Sequence, residues 1–220
     1  MRIALCAVVA LLAITPSTCG QTWDGFADFA CSNPNGAWSY GWRLLEYGQA
    51  FIPMSACISV PSCPLQVWHE PTLSSLSIGR PSGAPSCATW TCPAGYMTMH
   101  PGPGTEYAVL RWTAPATAQL SINITFLGID YAYPTTTSCA LMHNGSGLWG
   151  VSISSYGIPY PHSEIVNVAA GDTIDPHVSE PSAKGTSPAA TADPEPLDEP
   201  PLQASSPHGD RPGPVNDAFG

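Results

Sequence analysis

The stretch Leu120-Ser-Ile-Asn-Ile-Thr-Phe126 alternates apolar and polar side chains along its whole length. Successive side chains of a β-strand point to opposite sides of its sheet, so this alternation places the apolar side chains on one face. The segment 108–113 alternates in the same way, and Pro115 ends it. The two segments predict a β-hairpin with its turn around Pro115 to Ala118.

Further strand candidates follow one another at short intervals, each bounded by Gly, Pro, Asn or Ser. They are Trp38–Leu45, Ala50–Met54, Leu65–His69, Thr137–Met142, Leu148–Ser154 and Glu164–Ala169. No stretch keeps the 3.6-residue period of a helix. The pattern therefore predicts an all-β, antiparallel sandwich.

The first twenty residues have the three-part layout of a secretory signal peptide. Arg2 supplies a positive start, residues 3–14 are an unbroken apolar run, and Pro16-Ser-Thr-Cys-Gly20 forms a small-residue exit. The run is too short to span a bilayer. We expect cleavage after Gly20 or Cys19, and a secreted, extracellular protein whose remaining cysteines can be oxidised.

Charge and composition divide the rest of the chain and limit its partners. The formal net charge of −10 argues against a nucleic-acid partner, which needs a basic surface, and no later segment is apolar enough for a membrane span. From Pro176 onward, Pro recurs among Ser, Ala, Asp and Glu, with too few apolar side chains to offset the entropy of ordering. The expected organisation is a β-sandwich domain at 21–175 and a disordered tail at 176–220.

Six cysteines follow the signal peptide: Cys31, Cys57, Cys63, Cys87, Cys92 and Cys139. An even count in an exported chain predicts three disulfides, for which fifteen pairings exist. Proximity favours Cys57–Cys63 and Cys87–Cys92, which leaves Cys31–Cys139. Cys-x-x-Cys pairs and interleaved histidines at ligand spacing are missing from the sequence, so disulfides are favoured over a metal site.

Trp38, Tyr40, Trp42 and Leu44 share one face of a predicted strand. Such a row can stack on the apolar face of a sugar ring, or it can form the inner face of a sandwich. Leu44 at its end favours the core interpretation, because aromatic side chains bury a large apolar area.

Four other residues are candidates for ligand binding. Trp90 lies between Cys87 and Cys92, where a disulfide-pinned loop would keep its ring exposed. Trp68 and Trp149 fall near loops or strand ends. His100 precedes a Gly/Pro turn, where it either contacts a ligand or, as we favour, caps backbone groups at the start of a strand.

The sequence gives little support for a metal site or for catalysis. Asp130, Asp172 and Asp175 are candidates for a Ca²⁺ site, but they lack the dense spacing of a dedicated loop, and a hairpin turn at Gly171-Asp172 explains the pattern better. Neither a Gly-x-Ser-x-Gly nucleophile elbow nor a His-Glu-x-x-His zinc helix is present. We therefore expect no enzyme, and a glycan-active hydrolase is the least favoured class.

Two segments match the acceptor pattern for N-linked glycans. They are Asn123-Ile-Thr125, where Asn123 lies on the polar face of its strand, and Asn144-Gly-Ser146, in a turn. Both positions are expected to be accessible.

Five segments occur together in a characteristic order. They are Phe29-Ala-Cys-Ser-Asn-Pro-Asn-Gly-Ala-Trp-Ser-Tyr-Gly-Trp42, His100-Pro-Gly-Pro-Gly104, Val109-Leu-Arg-Trp-Thr-Ala-Pro115, His143-Asn-Gly145 and Ala170-Gly-Asp-Thr-Ile-Asp175. Together they resemble a family of exported jelly-roll-like domains that is common in bacterial surface proteins. The resemblance covers 23–175 and implies an architecture like that of carbohydrate-binding modules, without a catalytic site to carry over. Family members continue with an apolar strand where this chain has Pro176, so the last sheet edge is expected to be incomplete.

These observations predict an exported, non-catalytic binding module, with an extracellular glycan as the expected ligand. The alternative is a structural or interaction protein of the cell surface or matrix without a small ligand.

Overall fold

The computed structural model describes residues 13–16, 22–44, 50–133 and 136–180, and within these ranges it contains sixteen strands and no helix. In chain order they are β1 Ala13–Pro16, β2 Trp23–Asp24, β3 Trp38–Leu44, β4 Ile52–Pro53, β5 Ala56–Val60, β6 Leu65–His69, β7 Ser77–Pro81, β8 Ser86–Cys87, β9 Trp90–Thr91, β10 Thr98–His100, β11 Glu106–Thr113, β12 Ala118–Leu127, β13 Thr137–His143, β14 Ser146–Ile153, β15 Pro159–Val168 and β16 Thr173–Ser179. The described part contains no helix long and apolar enough to cross a membrane.

The strands pair into one large sheet and smaller sheets that pack against it. The six-stranded sheet has the order β14-β13-β16-β11-β3-β4, and the two four-stranded sheets have the orders β15-β12-β1-β2 and β10-β7-β6-β5. Ring stacking across the core joins them: Tyr40 to Trp68 and Phe126 to Trp149, each pair with centroids 5.8 Å apart. One apolar core with side chains from all three sheets follows from this packing.

The second half of the chain has the winding of a jelly roll. β13 pairs with β14, β12 with β15, and β11 with β16, so the three antiparallel pairs are nested along the chain. Nested pairs that alternate between two facing sheets are the connectivity of double-sheet jelly rolls. The predicted all-β, jelly-roll-like sandwich is confirmed.

The predicted hairpin between 108–113 and 120–126 is wrong. β11 pairs with β3 and β16, whereas β12 lies in a different sheet and pairs with β15. β12 has the expected alternation, and Leu110 and Trp112 face the same core as Leu120 and Ile122. In β11 the alternation is incomplete, because Val109 is buried as well as Ala108 and Leu110. The connection at Pro115 therefore crosses from one layer of the sandwich to the other.

The aromatic row of β3 belongs largely to the core, as its composition indicates. Trp38 and Tyr40 are buried, Trp42 is half-buried, and Leu44 is exposed at the end of the strand. Asn33, in the preceding loop, fixes the row: its Nδ2 donates to the carbonyl oxygen of Tyr40 at 2.7 Å, and its Oδ1 accepts the Tyr40 amide.

The sandwich extends beyond the predicted boundary at Asp175. β16 runs through Ser179 and lies between β13 and β11, in the interior of the six-stranded sheet. The backbone pairing between β16 and β11 is interrupted at positions 175 and 176, because Pro176 has no N–H to donate. The boundary at 175 and the incomplete sheet edge are therefore wrong. The remainder of the predicted tail, 181–220, lies outside the described residues.

Part of the predicted signal peptide pairs with the domain. Residues 13–16 form β1, with Ala13 opposite Asn123 and Pro16 opposite Leu120 of β12. The other residues of the predicted signal, 1–12 and 17–20, lie outside the described ranges. Cleavage after Gly20 would remove β1 from this sheet.

The disulfides differ from all three expected pairs. Cys31 bonds to Cys57 and Cys63 bonds to Cys87, with Cα atoms 5.5 and 5.6 Å apart. The pairings Cys57–Cys63, Cys87–Cys92 and Cys31–Cys139 are therefore wrong, because the fold brings together cysteines that are 26 and 24 residues apart rather than near neighbours in sequence. Cys92 is buried, and burial raises the pKa of its thiol to about 12. Cys139 is also buried and lies in the main core.

Candidate functional site

A second, smaller apolar cluster lies under the short hairpin β8–β9. It contains the Cys63–Cys87 disulfide, Trp90, Cys92, Leu127 and Ile129. The Thr91 amide donates to the carbonyl oxygen of Ile129 at 3.0 Å, which attaches the hairpin to the segment that follows β12. The hairpin is thus held by both a covalent bond and backbone hydrogen bonds.

The expectation that Trp90 is an exposed aromatic is wrong, because the residue is only 8% exposed. That expectation relied on a loop closed by Cys87–Cys92. Cys87 instead bonds to Cys63, and this bond draws the hairpin and the indole ring onto the smaller cluster.

A cavity of about 360 Å³ opens beside this ring and brings together two of the four predicted ligand-binding residues, Trp90 and His100. We call it the Trp90 cavity. It is lined by Val60, Ser62, Cys63, Leu65, Ser77, Cys87, Ala88, Trp90, Thr98, Met99 and His100. Ligand sites are generally concave, mostly apolar and about 300–1,000 Å³ in volume, with a few polar groups that fix orientation.

The lining of the Trp90 cavity combines apolar surface with hydroxyl groups. Ser62, Ser77 and Thr98 supply the hydroxyls, and the lining includes no Lys, Arg, Asp or Glu. The Ser77 hydroxyl donates to the carbonyl oxygen of Ser75 at 3.1 Å. This composition suits a ligand with both an apolar face and hydroxyl groups.

His100 is 5% exposed at the end of β10 and contacts the backbone, as favoured from the sequence. Its Nδ1 lies 2.6 Å from the carbonyl oxygen of Pro101; since a carbonyl only accepts, Nδ1 carries the proton. Burial raises the pKa of the Glu180 carboxyl, and its electrostatic interaction with His100 acts in the opposite direction. The interaction connects β10 to the residue that follows β16.

Trp68 and Trp149 lie elsewhere. Trp68 is 6% exposed, stacks on Tyr40, and donates from Nε1 to the carbonyl oxygen of Ala30 at 2.8 Å. Trp149 is half-buried, with ring centroids 5.8 Å from Phe126 and 4.6 Å from His162. Both indoles have a ring face stacked on a protein side chain, and neither lines the Trp90 cavity.

Among the residues that the structure describes, the exposed aromatic rings belong to tyrosines, none of which was among the predicted ligand-binding residues. Tyr131, Tyr133 and Tyr156 are 50%, 51% and 47% exposed, and we call them the tyrosine patch. The rings of Tyr131 and Tyr156 meet edge to face, with centroids 6.0 Å apart. A signal was available in Tyr131-Ala-Tyr133, where two tyrosines stand together after a strand.

The tyrosine patch adjoins the Trp90 cavity through the hairpin. The Tyr131 hydroxyl donates to the carbonyl oxygen of Ala88 at 2.6 Å, and the Tyr156 hydroxyl lies 2.7 Å from Thr91 Oγ1. Ala88 and Trp90 line the cavity from the same short hairpin. The patch and the cavity therefore share one wall.

Asp130 supports this wall from inside. Its carboxylate is 1% exposed; Oδ1 accepts hydrogen bonds from the amides of Ala132 and Tyr133, and Oδ2 accepts one from the Thr89 hydroxyl at 3.3 Å.

The three aspartates proposed for Ca²⁺ belong to separate networks, because Asp172 accepts the Ala169 amide and Asp175 accepts hydrogen bonds from Arg111. Across the described ranges, no group of three or more His, Cys, Asp or Glu is placed to hold a metal ion.

A buried polar group covers the other face of the six-stranded sheet. Arg43 Nη2 donates to His177 Nδ1 at 3.0 Å, and the His177 ring stacks on Tyr107 with centroids 5.0 Å apart. Burial first, and the positive charge of Arg43 second, lower the pKa of His177 to about 3. His177 is therefore neutral at pH 7, and its role here is structural.

Both candidate glycan acceptors are exposed. Asn123 Oδ1 accepts the Ser163 hydroxyl at 2.8 Å, and Asn144 Oδ1 accepts the Thr173 amide at 2.8 Å. Asn144 is also held through its nitrogen, the atom that would carry a glycan, since its Nδ2 lies 3.4 Å from His143 Nε2. A turn is present at Gly171-Asp172, where the Asp172 amide donates to the Ala169 carbonyl oxygen at 3.1 Å, but the predicted hairpin is wrong, because the flanking strands β15 and β16 lie in different sheets.

A wider depression of about 490 Å³ lies near Trp23, Asp28 and Asn35. Asp28 Oδ2 accepts the indole N–H of Trp38 at 3.1 Å, and Asn35 Nδ2 donates to the Asp28 carbonyl oxygen at 2.6 Å. These polar groups organise the loop before β3, which makes the depression a weaker candidate than the Trp90 cavity.

Comparison of the chain with known proteins gives no relative on which a function could be based. No family model matches it, and searches of curated proteins and of solved structures find no similar protein.

Proposed function

We propose that this protein is a non-catalytic extracellular binding module and that its ligand is a glycan bound at the Trp90 cavity. The observation that carries the proposal is the composition of that cavity. An indole ring, aliphatic side chains and three hydroxyl-bearing residues surround about 360 Å³ of space at a disulfide-braced end of the domain.

The chemistry of sugars supports this choice of ligand. A pyranose has an apolar face of C–H groups and a rim of hydroxyls, so it requires both ring or aliphatic contact and hydrogen-bonding partners. Val60, Leu65 and Trp90 offer the first, and Ser62 and Thr98 offer the second. A rigid site also lowers the entropy cost of binding, and the Cys63–Cys87 bond supplies that rigidity.

Secretion is part of the proposal and is supported by the disulfides. Within the described residues, two disulfides each join a strand of the sandwich to a loop, and such bonds persist in oxidising compartments. Together with the signal-like sequence at 1–20, they favour export. Glycans at Asn123 and Asn144 would be added during export in a host that carries out N-glycosylation.

The proposal is tested by screening the oxidised protein against immobilised neutral and acidic polysaccharides. We expect retention on at least one neutral polysaccharide. Ser62→Trp places a large side chain at an exposed position of the cavity wall and should abolish that retention. Ser59→Trp is the matched control, because Ser59 is an exposed residue of β5 that does not line the cavity.

Both variants should melt at the temperature of the parent protein, since both positions are exposed. Absence of retention on every polysaccharide would contradict the proposal. Equal retention by the Ser62→Trp and Ser59→Trp variants would remove the Trp90 cavity as the site.

A further inference from the structure

The hairpin β8–β9 contributes to both the Trp90 cavity and the tyrosine patch. Ala88 lines the cavity and accepts the Tyr131 hydroxyl through its carbonyl oxygen. Trp90 lines the cavity, while Thr91, the next residue, bonds to the hydroxyl of Tyr156 on the patch side. A ligand leaving the cavity across this hairpin therefore meets tyrosine rings.

Two of the three rings of the patch, those of Tyr131 and Tyr156, are held in place while remaining about half exposed. Tyr131 and Tyr156 are each fixed by one hydroxyl hydrogen bond and by their edge-to-face contact. The amide of Tyr133 is bound by buried Asp130, which fixes the backbone of that loop. Rings fixed in this way lose little conformational freedom when a ligand stacks on them.

The combined surface carries almost no charge. The segments 88–91, 128–133 and 154–158 contain one ionisable carboxylate, that of Asp130, and it is 1% exposed. The cavity lining adds only His100 among acidic and basic side chains, and Glu180 interacts with it electrostatically. Recognition of a uronic or other acidic sugar generally uses Arg or Lys, and none stands in these segments or in this lining.

We infer that the site extends from the Trp90 cavity over the tyrosine patch and takes an uncharged oligosaccharide of at least two sugar units. This inference rests on the proposed function. The unit in the cavity contacts the indole and the hydroxyls of Ser62 and Thr98. The following unit crosses the hairpin and stacks on the exposed rings of Tyr133 and Tyr156.

The test is a calorimetric titration with sugars of increasing length. The probes are the monosaccharide, disaccharide and tetrasaccharide of the neutral polysaccharide retained in the screen, with tetragalacturonic acid as the acidic probe. For the parent protein we expect the tetrasaccharide to bind at least about tenfold more tightly than the monosaccharide, and the acidic probe not to bind.

The variants separate ring stacking from hydroxyl bonding. Tyr133→Ala and Tyr156→Ala should each weaken tetrasaccharide binding about tenfold and leave monosaccharide binding unchanged. Tyr156→Phe keeps the ring and its contact with Tyr131 but loses the hydroxyl hydrogen bond to Thr91, so it should weaken tetrasaccharide binding much less than Tyr156→Ala does. Ile165→Ala is the control for loss of an exposed apolar side chain, since Ile165 is 67% exposed on β15 and belongs to neither surface.

Equal affinity for the monosaccharide and the tetrasaccharide, or no effect of Tyr133→Ala and Tyr156→Ala, would overturn the extension while leaving the cavity as a site. Binding of tetragalacturonic acid as tight as that of the neutral tetrasaccharide would overturn the uncharged class. No binding of any sugar to the parent protein would overturn the inference together with the proposed function.

Discussion

The guanidinium of Arg111 holds the carboxylate of Asp175 through two hydrogen bonds, Nε to Oδ1 at 2.9 Å and Nη2 to Oδ2 at 2.7 Å. The pair joins β11 to β16 at the place where their backbone pairing skips two residues. Asp175 is 1% exposed, and the Arg111 guanidinium lies over the Phe51 ring at 4.3 Å from its centroid. A side-chain bridge thus replaces the missing backbone contacts beside Pro176.

Arg111→Met should destabilise the domain by about 3 kcal/mol, because it leaves a buried carboxylate without its charged partner. The value lies at the low end for buried pairs, since the Arg111 side chain is 25% exposed. Urea unfolding measures the loss. The double variant Arg111→Met with Asp175→Leu should recover much of it, and failure of the double variant to improve on the single one would contradict this account.

The two disulfides should contribute similar stability. Their sequence separations are 26 and 24 residues, and loops of this size are expected to stabilise by roughly 3–4 kcal/mol each. Replacing both members of either pair by Ala should therefore lower the free energy of unfolding by a similar amount. Peptide mapping of the oxidised protein should find Cys31 linked to Cys57 and Cys63 linked to Cys87; a peptide linking Cys87 to Cys92 would be inconsistent with the structure.

Acidification should destabilise the domain through His177. Its pKa is about 3 when folded and 6.5 in the reference state, so between these values the unfolded chain binds a proton that the folded protein does not. The contribution of His177 to the free energy of unfolding is fully present above about pH 6.5. It falls by about 1.4 kcal/mol per pH unit as the pH is lowered to about 3. Urea unfolding at pH 7, 6, 5 and 4 measures this slope.

His177→Gln is the control for that titration, because a glutamine oxygen can accept the Arg43 hydrogen bond and does not titrate. The variant should show a shallower fall over the same range. The hydrogen bond from the Ala169 amide lowers the pKa of Asp172, so the contribution of Asp172 to stability is lost only at more acidic pH. Because Asp172 is present in both proteins, it does not affect their comparison. Parallel curves for the parent and the His177→Gln variant would show that His177 is not the group responsible.

Trp90→Ala and Trp112→Ala should both destabilise the domain, by about 3–5 kcal/mol for Trp112 and by a smaller amount for Trp90. Trp112 is fully buried in the main core, whereas Trp90 is 8% exposed in the smaller cluster. Thermal unfolding monitors both. A melting temperature unchanged by Trp90→Ala would mean that the hairpin β8–β9 is not packed as described.

A chain that ends after Asp175 should unfold, whereas one that ends after Glu180 should retain the sandwich. The shorter chain lacks residues 176–180, of which Val178 and Ser179 pair with Cys139 and Ser138 of β13. Losing these residues opens the six-stranded sheet between β11 and β13. Circular dichroism and thermal unfolding of the two chains check this, and equal melting temperatures would refute it.

The sequence by itself determined the fold class and the faces of the strands. Alternation in 120–126, the short turn-bounded strands and the row Trp38, Tyr40 are local patterns, and local patterns follow from the period-two geometry of a strand. Leu65–His69 matches its predicted bounds because a turn precedes it and Glu70 and Pro71 follow it.

Only the tertiary structure decided which strands and cysteines are partners. Pairing of β11 with β16 and of Cys31 with Cys57 joins segments that are distant in the chain, and the turn at Pro115 looks the same whether a chain pairs back or crosses the sandwich. The sequence placed the end of the domain before Pro176, because a proline cannot donate a backbone hydrogen bond. Composition alone does not show that a buried ion pair can replace that hydrogen bond. Burial of Trp90 and exposure of Tyr156 likewise follow from long-range packing, which places one ring under a hairpin and the other on its outer side.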